Sequence, residues 1–329
     1  MDIKSSKILV TGSGGFVGSH LVEKLLSKGY HVKCFVRYNS RNDHGLLAKI
    51  PKNFLKDVEI VSGDLRDYDA IFQALKGIDI VFHLGALIAI PYSYNNPKDV
   101  IDTNIIGTFN VLNAAKYFSI DKVIHTSTSE VYGTALYVPI DEKHPLQGQS
   151  PYSASKISAD KIAESFYFAY DLPVATIRPF NIYGPRQSER AVIPTVIRQA
   201  ICNNNIYLGS LTPKRDYTYI SDTIEAFIKI AQLDETIGQT YNIGSSSNIT
   251  IGELAKKICN LIDPSIKIIQ ENKRMRPEKS EVKCLLADNS KAIKNLKWTP
   301  KTSLDEGLYK TIQWIKSNLQ HFQSDDYII

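Results

Sequence analysis

A glycine-rich turn near the start of the chain limits the possible folds more than any other feature. The run TGSGGFVG lies between a short β-branched segment that predicts a strand and a pattern that predicts a helix. Glycines at this spacing let the chain reverse, let the backbone approach a pyrophosphate and let the helix pack closely on a sheet. The helix adds free N–H groups and a positive dipole end. The turn therefore predicts a dinucleotide site formed by Gly12, Gly15, Phe16, Val17 and Gly18.

Predicted strands and helices alternate over the first 180 residues. The strands are predicted at 7–11, 31–36, 58–62, 80–84, 122–126 and 174–178, and the helices at 20–28, 69–75, 104–118 and 153–170. Such alternation indicates right-handed crossovers and a parallel sheet, which predicts a doubly wound α/β fold of the Rossmann type. Sheets of this type bind ligands beyond the carboxyl ends of their strands.

After residue 180 the pattern loosens, because Pro179, Gly184, Pro185 and Pro194 interrupt it. Helices are predicted near 194–203, 221–232 and 250–262. We expect a Rossmann domain over residues 1–180. A smaller mixed α/β lobe over residues 181–329 would bind substrate and be interleaved with the first domain.

Composition excludes several classes of protein. The 329 residues are 43% apolar and 22% charged, which is typical of globular proteins. A net charge of +5 over this length does not predict nucleic-acid binding, but it suits a site for an anionic ligand. No apolar stretch is long enough to span a bilayer, and no targeting signal is recognised. The four cysteines are far apart, which predicts buried or inert thiols in a reducing cytoplasm and no metal site.

The residues after the second, third and fourth strands are candidates for the cofactor groove. The second strand ends without the acidic residue that binds the 2′-hydroxyl of NAD, and Arg37 lies close to that place. Arginine accommodates the 2′-phosphate of NADP, which favours NADP; the alternative is an exposed Arg37 beside an NAD site. Asp64 and Leu65 could bracket the adenine, and Leu84 and Ala86 would run beside the cofactor.

Tyr152 and Lys156 are four residues apart in a predicted helix, which brings both side chains to one face. A nearby ammonium lowers the pKa of a tyrosine, and an oxidised nicotinamide adds positive potential. Tyr152 would then act as a base near neutral pH. The pair follows a dinucleotide loop and a strand ending in Ser127 and Thr128. This combination is a much more specific signal than the Tyr–Lys pair alone.

The chain resembles, over nearly its whole length, the extended short-chain dehydrogenase/reductases that act on nucleotide sugars. The resemblance implies a nucleotide-sugar substrate and an NADP or NAD that is tightly bound and recycled. The matching motifs are TGSGGFVG, GDL (63–65), HLGA (83–86), STSEVYG (127–133), SPYSASK (150–156), RPFNIYGPRQ (178–187), RDYTYISD (215–222) and YNIGS (241–245).

This resemblance implies a first step that the family shares. Tyr152 would take the proton of the sugar C4 hydroxyl, and Thr128 would hydrogen-bond that oxygen. Hydride would pass from C4 to the nicotinamide and leave a 4-keto sugar. Lys156 would bind the cofactor ribose and tune Tyr152.

Ser129 and Glu130 follow Thr128, at positions where simple 4-epimerases of the family usually have small, non-ionisable residues. Glu130 could remove the C5 proton, which the ketone acidifies, while the C6 hydroxyl leaves as water and the hydride returns to C6. The triplet is similar to that of GDP-mannose 4,6-dehydratases. In dTDP-glucose 4,6-dehydratases an aspartate replaces Ser129 and serves as the acid, so we expect Glu130 to pass its own proton on. The alternative for Glu130 is a structural carboxylate at the strand end.

The segment TSEVYG is also similar to UDP-glucuronate decarboxylases, in which Arg186 would be a candidate to hold the sugar carboxylate. The ending RPEKSEV (276–282) followed by ADNSKA (287–292) instead resembles GDP-mannose dehydratases, with two residues inserted. By this resemblance Arg276 would meet a phosphate, Glu281 a ribose and Arg215 the diphosphate.

Three further segments resemble the 4,6-dehydratases of the legionaminic-acid pathway, which act on a GDP- or UDP-linked N-acetylglucosamine. They are LIAIPYSY (87–94), YGTALYVPIDEKHPL (132–146) and AVIPT (191–195). The first follows the fourth strand, so we expect it to border the sugar. Asn181 would contact the diphosphosugar.

The helices predicted at 104–118 and 153–170 carry apolar residues beyond one face. One face packs on the sheet, and the second predicts a homodimer of the kind formed in this family, with ordinary core packing as the alternative.

Three hypotheses remain for the function. The first is a nucleotide-sugar 4,6-dehydratase, the second a 4-epimerase or decarboxylase of the same family, and the third a non-catalytic dinucleotide sensor. Intact Tyr152, Lys156, Thr128 and Glu130 count against a sensor, which has no need of all four.

Overall fold

The structure, a computed structural model, describes residue 3 and residues 5–322 and is built on one parallel sheet. The strands of this sheet, numbered in chain order, are β1 (Lys7–Thr11), β2 (His31–Arg37), β3 (Glu59–Gly63), β4 (Ile80–His83), β5 (Lys122–Thr126), β6 (Val174–Pro179) and β10 (Thr240–Ile243). They lie in the order β3-β2-β1-β4-β5-β6-β10, and each neighbouring pair is parallel. The strand order reverses between β1 and β4, which opens a crevice for ligands at their carboxyl ends. The predicted doubly wound Rossmann-type fold is confirmed.

The helices are α1 (Phe16–Ser27), α2 (Lys52–Leu55), α3 (Tyr68–Leu75), α4 (Ile90–Asn95), α5 (Pro97–Ile101), α6 (Gly107–Tyr117), α7 (Pro151–Tyr170), α8 (Val192–Cys202), α9 (Ile220–Gln232), α10 (Ile251–Ile262), α11 (Ser290–Leu296) and α12 (Leu304–Ser317). Of these, α1 and α9 cover one face of the main sheet, and α3, α6 and α7 cover the other. In β1, Ile8 and Val10 pack in one core with α1 and α9. Leu9 points to the opposite face, into a core with α3, α6 and α7.

Two helices begin earlier than the sequence pattern predicts. α1 begins at Phe16 rather than at residue 20, because Gly15 is its N-cap. The helix predicted at 104–118 is preceded by α5, which starts at Pro97, where the fixed φ of proline suits a first helical turn. A π-helical turn at Asp102–Ile106 joins α5 to α6.

The second part of the chain contributes five short strands outside the main sheet. They are β7 (Asn181–Tyr183), β8 (Asn205–Leu208), β9 (Lys214–Tyr219), β11 (Asn248–Thr250) and β12 (Lys267–Gln270). A three-stranded sheet has the order β11-β9-β7, and β12 pairs with β8. The chain returns to the main sheet at β10, which pairs with β6. The domain boundary at residue 180 stays a prediction.

No helix in the described part of the chain is long and apolar enough to cross a membrane. The described residues also contain no group of three or more His, Cys, Asp or Glu side chains that could hold a metal ion. Cys34 and Cys259 are buried, Cys284 is half-buried and Cys202 is exposed at the end of α8. The prediction of buried or inert thiols agrees with the structure for the two buried cysteines, and inertness stays a prediction for the other two.

Candidate active site

The glycine turn forms a backbone cradle at the carboxyl end of β1. Gly12 has a φ of +70°, which L side chains rarely adopt, and a Cβ on it would lie 2.8 Å from the Cα of Gly85. A Cβ on Gly18 would overlap the carbonyl oxygen of Gly12, so only glycine allows α1 to pack here. Gly15 caps α1 without a side-chain hydrogen bond, which leaves the first N–H groups of the helix for a ligand. The cradle fits the pyrophosphate of a dinucleotide.

Phe16 and Val17 are the first two residues of α1 and are half-buried. Leu84 and Ala86, also half-buried, flank Gly85 directly after β4. Leu65 is buried against Gly85, since its Cδ1 atom would lie 2.8 Å from a Cβ there. The loops after β1, β3 and β4 therefore meet at the carboxyl end of the sheet, and their binding of a cofactor stays a prediction.

The residues expected near the adenosine lie at the ends of β2 and β3. Arg37 is exposed at the last position of β2 and pairs in register with Gly63, next to Asp64. Asp64 accepts two hydrogen bonds from the Arg66 guanidinium, from Nε at 2.9 Å and from Nη2 at 2.6 Å. These bonds lower the pKa of Asp64, and the charge of Arg37 adds to the effect. Arg37 thus lies beside a carboxylate that is already paired.

Tyr152 and Lys156 lie on the first turns of α7 and are both buried. Ser150 starts the helix with a capping box, in which its hydroxyl accepts a hydrogen bond from the Ser153 amide. The ammonium of Lys156 donates to the carbonyl oxygen of Thr126, the last residue of β5, at 2.6 Å. The capped helix and this bond fix both side chains against the end of the sheet.

The protonation of this pair differs from the expectation. The sequence predicts that Lys156 lowers the pKa of Tyr152, but in the structure burial dominates and raises it. A hydrogen bond with Thr128 lowers the pKa, while the charges of Glu130 and Asp160 add to the increase. Burial also lowers the pKa of Lys156 to about 8. Tyr152 therefore needs positive potential beyond that of the protein to act as a base, which an oxidised nicotinamide would supply.

The residues after β5 form a turn of 3-10 helix at Ser129–Tyr132, which contains Ser129 and Glu130. Thr128 is its N-cap and accepts a hydrogen bond from the Glu130 amide at 3.2 Å. Ser129 is buried, whereas Glu130 is half-buried. The turn places Thr128 and Glu130 at the carboxyl end of the sheet, beside Tyr152.

Three charged residues expected at the nucleotide, two arginines at its phosphates and Glu281 at a ribose, come together although they are far apart in the chain. Arg215, buried in β9, donates to the Glu281 carboxylate at 3.0 Å. Arg276 lies 3.6 Å from the same carboxylate oxygen. Two guanidinium groups thus share one carboxylate, which leaves a net positive charge suited to a diphosphate.

Two neutral side chains near this group carry buried oxygens with no hydrogen-bond partner among the described residues. They are Asn181, through Oδ1, and Tyr217, through its hydroxyl. The two residues are neighbours in the register of β7 and β9. The charges of Arg215 and Arg276 both act on Tyr217, so its hydroxyl lies close to them. Tyr217 was not predicted; its signal was the position two residues after Arg215.

The segment 276–281 contacts the residues at the start of α7. The Ser280 hydroxyl lies 2.7 Å from the Tyr94 hydroxyl of α4 and 2.6 Å from the carbonyl oxygen of Gln149. Gln149 immediately precedes the N-cap of α7. Tyr94 packs with Ile90, Tyr92 and Leu87 around Tyr152. That this segment borders the sugar stays a prediction.

Arg186 forms its hydrogen bonds with α1 and with the chain just before α2. Its guanidinium donates to Glu23 of α1 at 2.6 Å and to the carbonyl oxygen of Lys49 at 3.4 Å. Its Nη1 atom has no hydrogen-bond partner among the described residues, so the pairing with Glu23 makes Arg186 a weaker candidate for the sugar carboxylate and does not exclude it.

Asn104 is another residue that sequence reasoning missed. Its side chain accepts a hydrogen bond from the Leu87 amide and donates to the Leu87 carbonyl and to the Ser155 hydroxyl, each within 2.9 Å. It thereby joins the loop after β4 to the helix of Tyr152 and Lys156. The available signal was a polar residue in an apolar helical pattern.

A model of the family described as GDP-mannose 4,6 dehydratase matches residues 9–311. The chain belongs to this family. The dTDP-D-glucose 4,6-dehydratase of Mus musculus is 29% identical over 97% of the chain and 91% of its own length. The UDP-N-acetyl-alpha-D-glucosaminuronate decarboxylase of Bacillus cytotoxicus is 32% identical over 94% of the chain and 98% of its own length. The relatives also include a UDP-glucose 4-epimerase from Mycolicibacterium smegmatis, 30% identical over 95% of the chain and all of its own length.

Among solved structures, DesIV, the dTDP-glucose 4,6-dehydratase of Streptomyces venezuelae, was determined with NAD bound. It is 27% identical to the chain, covers 96% of the chain and 98% of its own length, and has a TM-score of 0.87. The predicted fold and the predicted membership of the nucleotide-sugar dehydratase and epimerase enzymes are confirmed. The prediction of an enzyme of the sugar-nucleotide 4,6-dehydratase class is confirmed at the level of the family.

Proposed function

We propose that the protein is a nucleotide-sugar 4,6-dehydratase that converts a GDP- or UDP-linked N-acetylglucosamine to its 4-keto-6-deoxy product. The observation that carries this proposal is the carboxylate of Glu130. It lies on the turn that Thr128 caps, and its charge adds to burial in raising the pKa of Tyr152. A base at this place suits removal of the sugar C5 proton.

In the first step Tyr152 accepts the proton of the C4 hydroxyl. Thr128 hydrogen-bonds with Tyr152 and orients the same oxygen. When bound, NADP or NAD would supply the hydride acceptor for C4 and the hydride donor for C6, and it would be recycled. Lys156, held by the Thr126 carbonyl, binds the cofactor ribose.

In the second step Glu130 takes the C5 proton, which the C4 ketone acidifies. Glu130 then gives that proton to the C6 hydroxyl, the C6–O bond breaks and water leaves. Ser129 is buried and cannot ionise at neutral pH, which leaves Glu130 as the acid of the triplet. A solvent proton reaches C5 through Glu130 as the hydride arrives at C6, and Tyr152 releases its own proton to solvent.

Two observations favour dehydration over the alternatives. A 4-epimerase has no use for the ionisable Glu130 beside Tyr152. A decarboxylase needs an arginine for the sugar carboxylate, and Arg186, the candidate for that role, pairs with Glu23 of α1 at 2.6 Å.

Arg215 and Arg276 bind the diphosphate, Glu281 a ribose and Asn181 the diphosphosugar. The segment 87–94, which packs around Tyr152, supports an N-acetylated hexose and the legionaminic-acid pathway. An assay with both the GDP-linked and the UDP-linked sugar identifies the base of the nucleotide, guanine or uracil.

Arg37 supports NADP, because its exposed guanidinium lies at the end of β2 where a 2′-phosphate would reach it. Release of the cofactor by denaturing the purified protein, followed by mass measurement, distinguishes NADP from NAD.

We also propose a cytoplasmic homodimer. Apolar side chains remain exposed on the helices predicted to pair, with Ile106 at 46%, Phe109 at 42% and Phe168 at 73%. A second copy would cover them across a two-fold axis. The four free thiols suit a reducing compartment.

The function is tested by incubating the purified protein with UDP- and GDP-linked N-acetylglucosamine and following the product. We expect the loss of one water by mass and a new C6 methyl group by proton NMR. An unchanged mass with an inverted C4 centre would contradict dehydration and support epimerisation.

A further inference from the structure

A cluster of buried polar side chains lies directly behind the catalytic residues, and its centre is Asp160. Its carboxylate accepts hydrogen bonds from Ser127 Oγ at 2.7 Å and from His125 Nε2 at 2.9 Å. Arg178, on β6, donates to it from Nε at 3.2 Å and from Nη2 at 3.0 Å. All four residues are less than 10% exposed. Three of these hydrogen bonds reach Oδ2 and one reaches Oδ1, so both carboxylate oxygens are held and Asp160 has little freedom to move.

The cluster continues from Arg178 to the turn that carries Glu130. Arg178 Nη1 donates to the Tyr132 hydroxyl at 3.0 Å, and its guanidinium lies 5.2 Å from the centre of the Tyr132 ring. The Tyr132 hydroxyl in turn donates to Asn242 of β10 at 2.7 Å. Tyr132 is the last residue of the turn Ser129–Tyr132. Arg178 therefore links this turn to Asp160.

Ser127 and Tyr132 are anchored to this cluster, and Thr128 and Glu130 lie between them. Asp160 itself is one helical turn after Lys156 and two turns after Tyr152 on α7. The Asp160 carboxylate thus links α7 to both ends of the segment from Ser127 to Tyr132. That segment carries Glu130, the proposed acid and base.

We propose that Asp160 is a positioning residue, which through Ser127 and Arg178 fixes Thr128 and Glu130 relative to Tyr152 and Lys156. Asp160 does not touch the substrate in this account. A buried ion pair is costly to desolvate, and it is retained here because its directional bonds hold two elements in one register. The proposal rests on the dehydratase function for the role of Glu130.

Asp160 also acts on Lys156 through its charge. Burial alone would raise the pKa of Asp160, but the bonds from His125, Arg178 and Ser127 outweigh burial and lower it to about 2. The carboxylate is therefore ionised under working conditions, and its charge raises the pKa of Lys156 against the effect of burial.

The other titratable groups facing Lys156 are His125 of β5, His83 of β4 and Tyr152 on its own helix. Burial lowers the pKa of both histidines, so both are neutral near pH 7. Asp160 is thus the ionised group that favours the ammonium form. Removing its charge would lower the pKa of Lys156 further, and the ammonium would be lost at lower pH.

The experiment compares Asp160→Asn with Glu164→Gln, a matched change at an exposed position of α7. The probe is the UDP- or GDP-linked N-acetylglucosamine that the native enzyme turns over. We expect kcat to fall about 100-fold in Asp160→Asn with KM changed less than about threefold, because a small displacement of reacting groups has this effect. We also expect the alkaline limb of the kcat profile to move to lower pH. Glu164→Gln should change neither quantity.

Ser127→Ala keeps the test open if Asp160→Asn does not fold. This variant removes one bond and no charge, so kcat should fall about tenfold while the alkaline limb stays where it is. Unchanged kcat in either folded variant, or an unmoved alkaline limb in folded Asp160→Asn, would overturn the positioning role.

Appearance of reduced nicotinamide reports C4 oxidation, which the whole family shares. If the native enzyme shows that signal without water loss, the dehydratase proposal fails, and the Asp160 comparison is still read from C4 oxidation.

Discussion

The two sides of the candidate site are built differently. We call Tyr152, Lys156, Asp160 and Arg178 the floor, and they lie on α7 and β6. We call the segment 276–281, with its contacts, the roof. Every side chain of the floor is less than 10% exposed, and its ion pair has its hydrogen bonds satisfied within the protein.

The roof is held by fewer and more accessible contacts. The Arg276 and Glu281 side chains are 30% and 20% exposed and lie 3.6 Å apart. Ser280 adds its contacts to Tyr94 and Gln149. A diphosphate can compete for the two arginines that now share Glu281, whereas no ligand reaches Asp160. We therefore expect folding to fix the floor and substrate to complete the roof, so that floor variants change kcat and roof variants change KM.

The largest effect is expected on the floor, for Tyr152→Phe. The variant loses the hydroxyl that accepts the C4 proton, so the rate of C4 oxidation should fall by about 100- to 10,000-fold. Absorbance of reduced nicotinamide in a single turnover measures this rate. Tyr170→Phe, at an exposed position of the same helix, is the control. Normal nicotinamide reduction in Tyr152→Phe would exclude Tyr152 as the base.

A smaller effect is expected on the roof, for Arg276→Gln. Loss of a charge-assisted contact to the diphosphate should raise KM by about tenfold and leave kcat within about twofold. Steady-state kinetics with the nucleotide sugar measure both constants. Lys279→Gln removes an exposed cation from the same segment and should change neither. A fall in kcat without a change in KM would remove the distinction between floor and roof.

The smallest effect is expected for Ser280→Ala, which removes the hydroxyl that joins the roof to Tyr94 and Gln149. One or two neutral hydrogen bonds correspond to a rise in KM of about three- to tenfold. Tyr94→Phe should have a similar effect, and the double variant should be less than additive because both changes remove the same contact. Fully additive effects would show that the Ser280–Tyr94 contact does not hold the roof.

The floor and the roof also differ in how much of them could be predicted from sequence. Tyr152 and Lys156 are four residues apart, so helical periodicity alone brings them together, and α7 agrees with its predicted range within two residues. Asp160 continues the same face of α7, but its partner Arg178 is on β6, and the packing of a helix against a strand is not a local property. Predicting their contact would have required the β5–β6 pairing.

The contacts of the roof could not be predicted from local pattern. Glu281 meets Arg215 across 66 residues of chain, and Ser280 meets Tyr94 across 186. The resemblance suggested Arg215, Arg276 and Glu281 one by one. Only the fold shows that the two arginines share the Glu281 carboxylate. The pKa of Tyr152 was misjudged for a related reason, since burial depends on the packing of α4 and α5 over α7.

Glu130 performs the elimination in the proposed reaction, and Glu130→Gln tests this role most directly. In deuterium oxide, we expect this variant still to reduce its nicotinamide with the nucleotide sugar but to incorporate no deuterium at C5 and to release no water. Native enzyme run in parallel should show all three events. Water release by Glu130→Gln at the native rate would contradict the account.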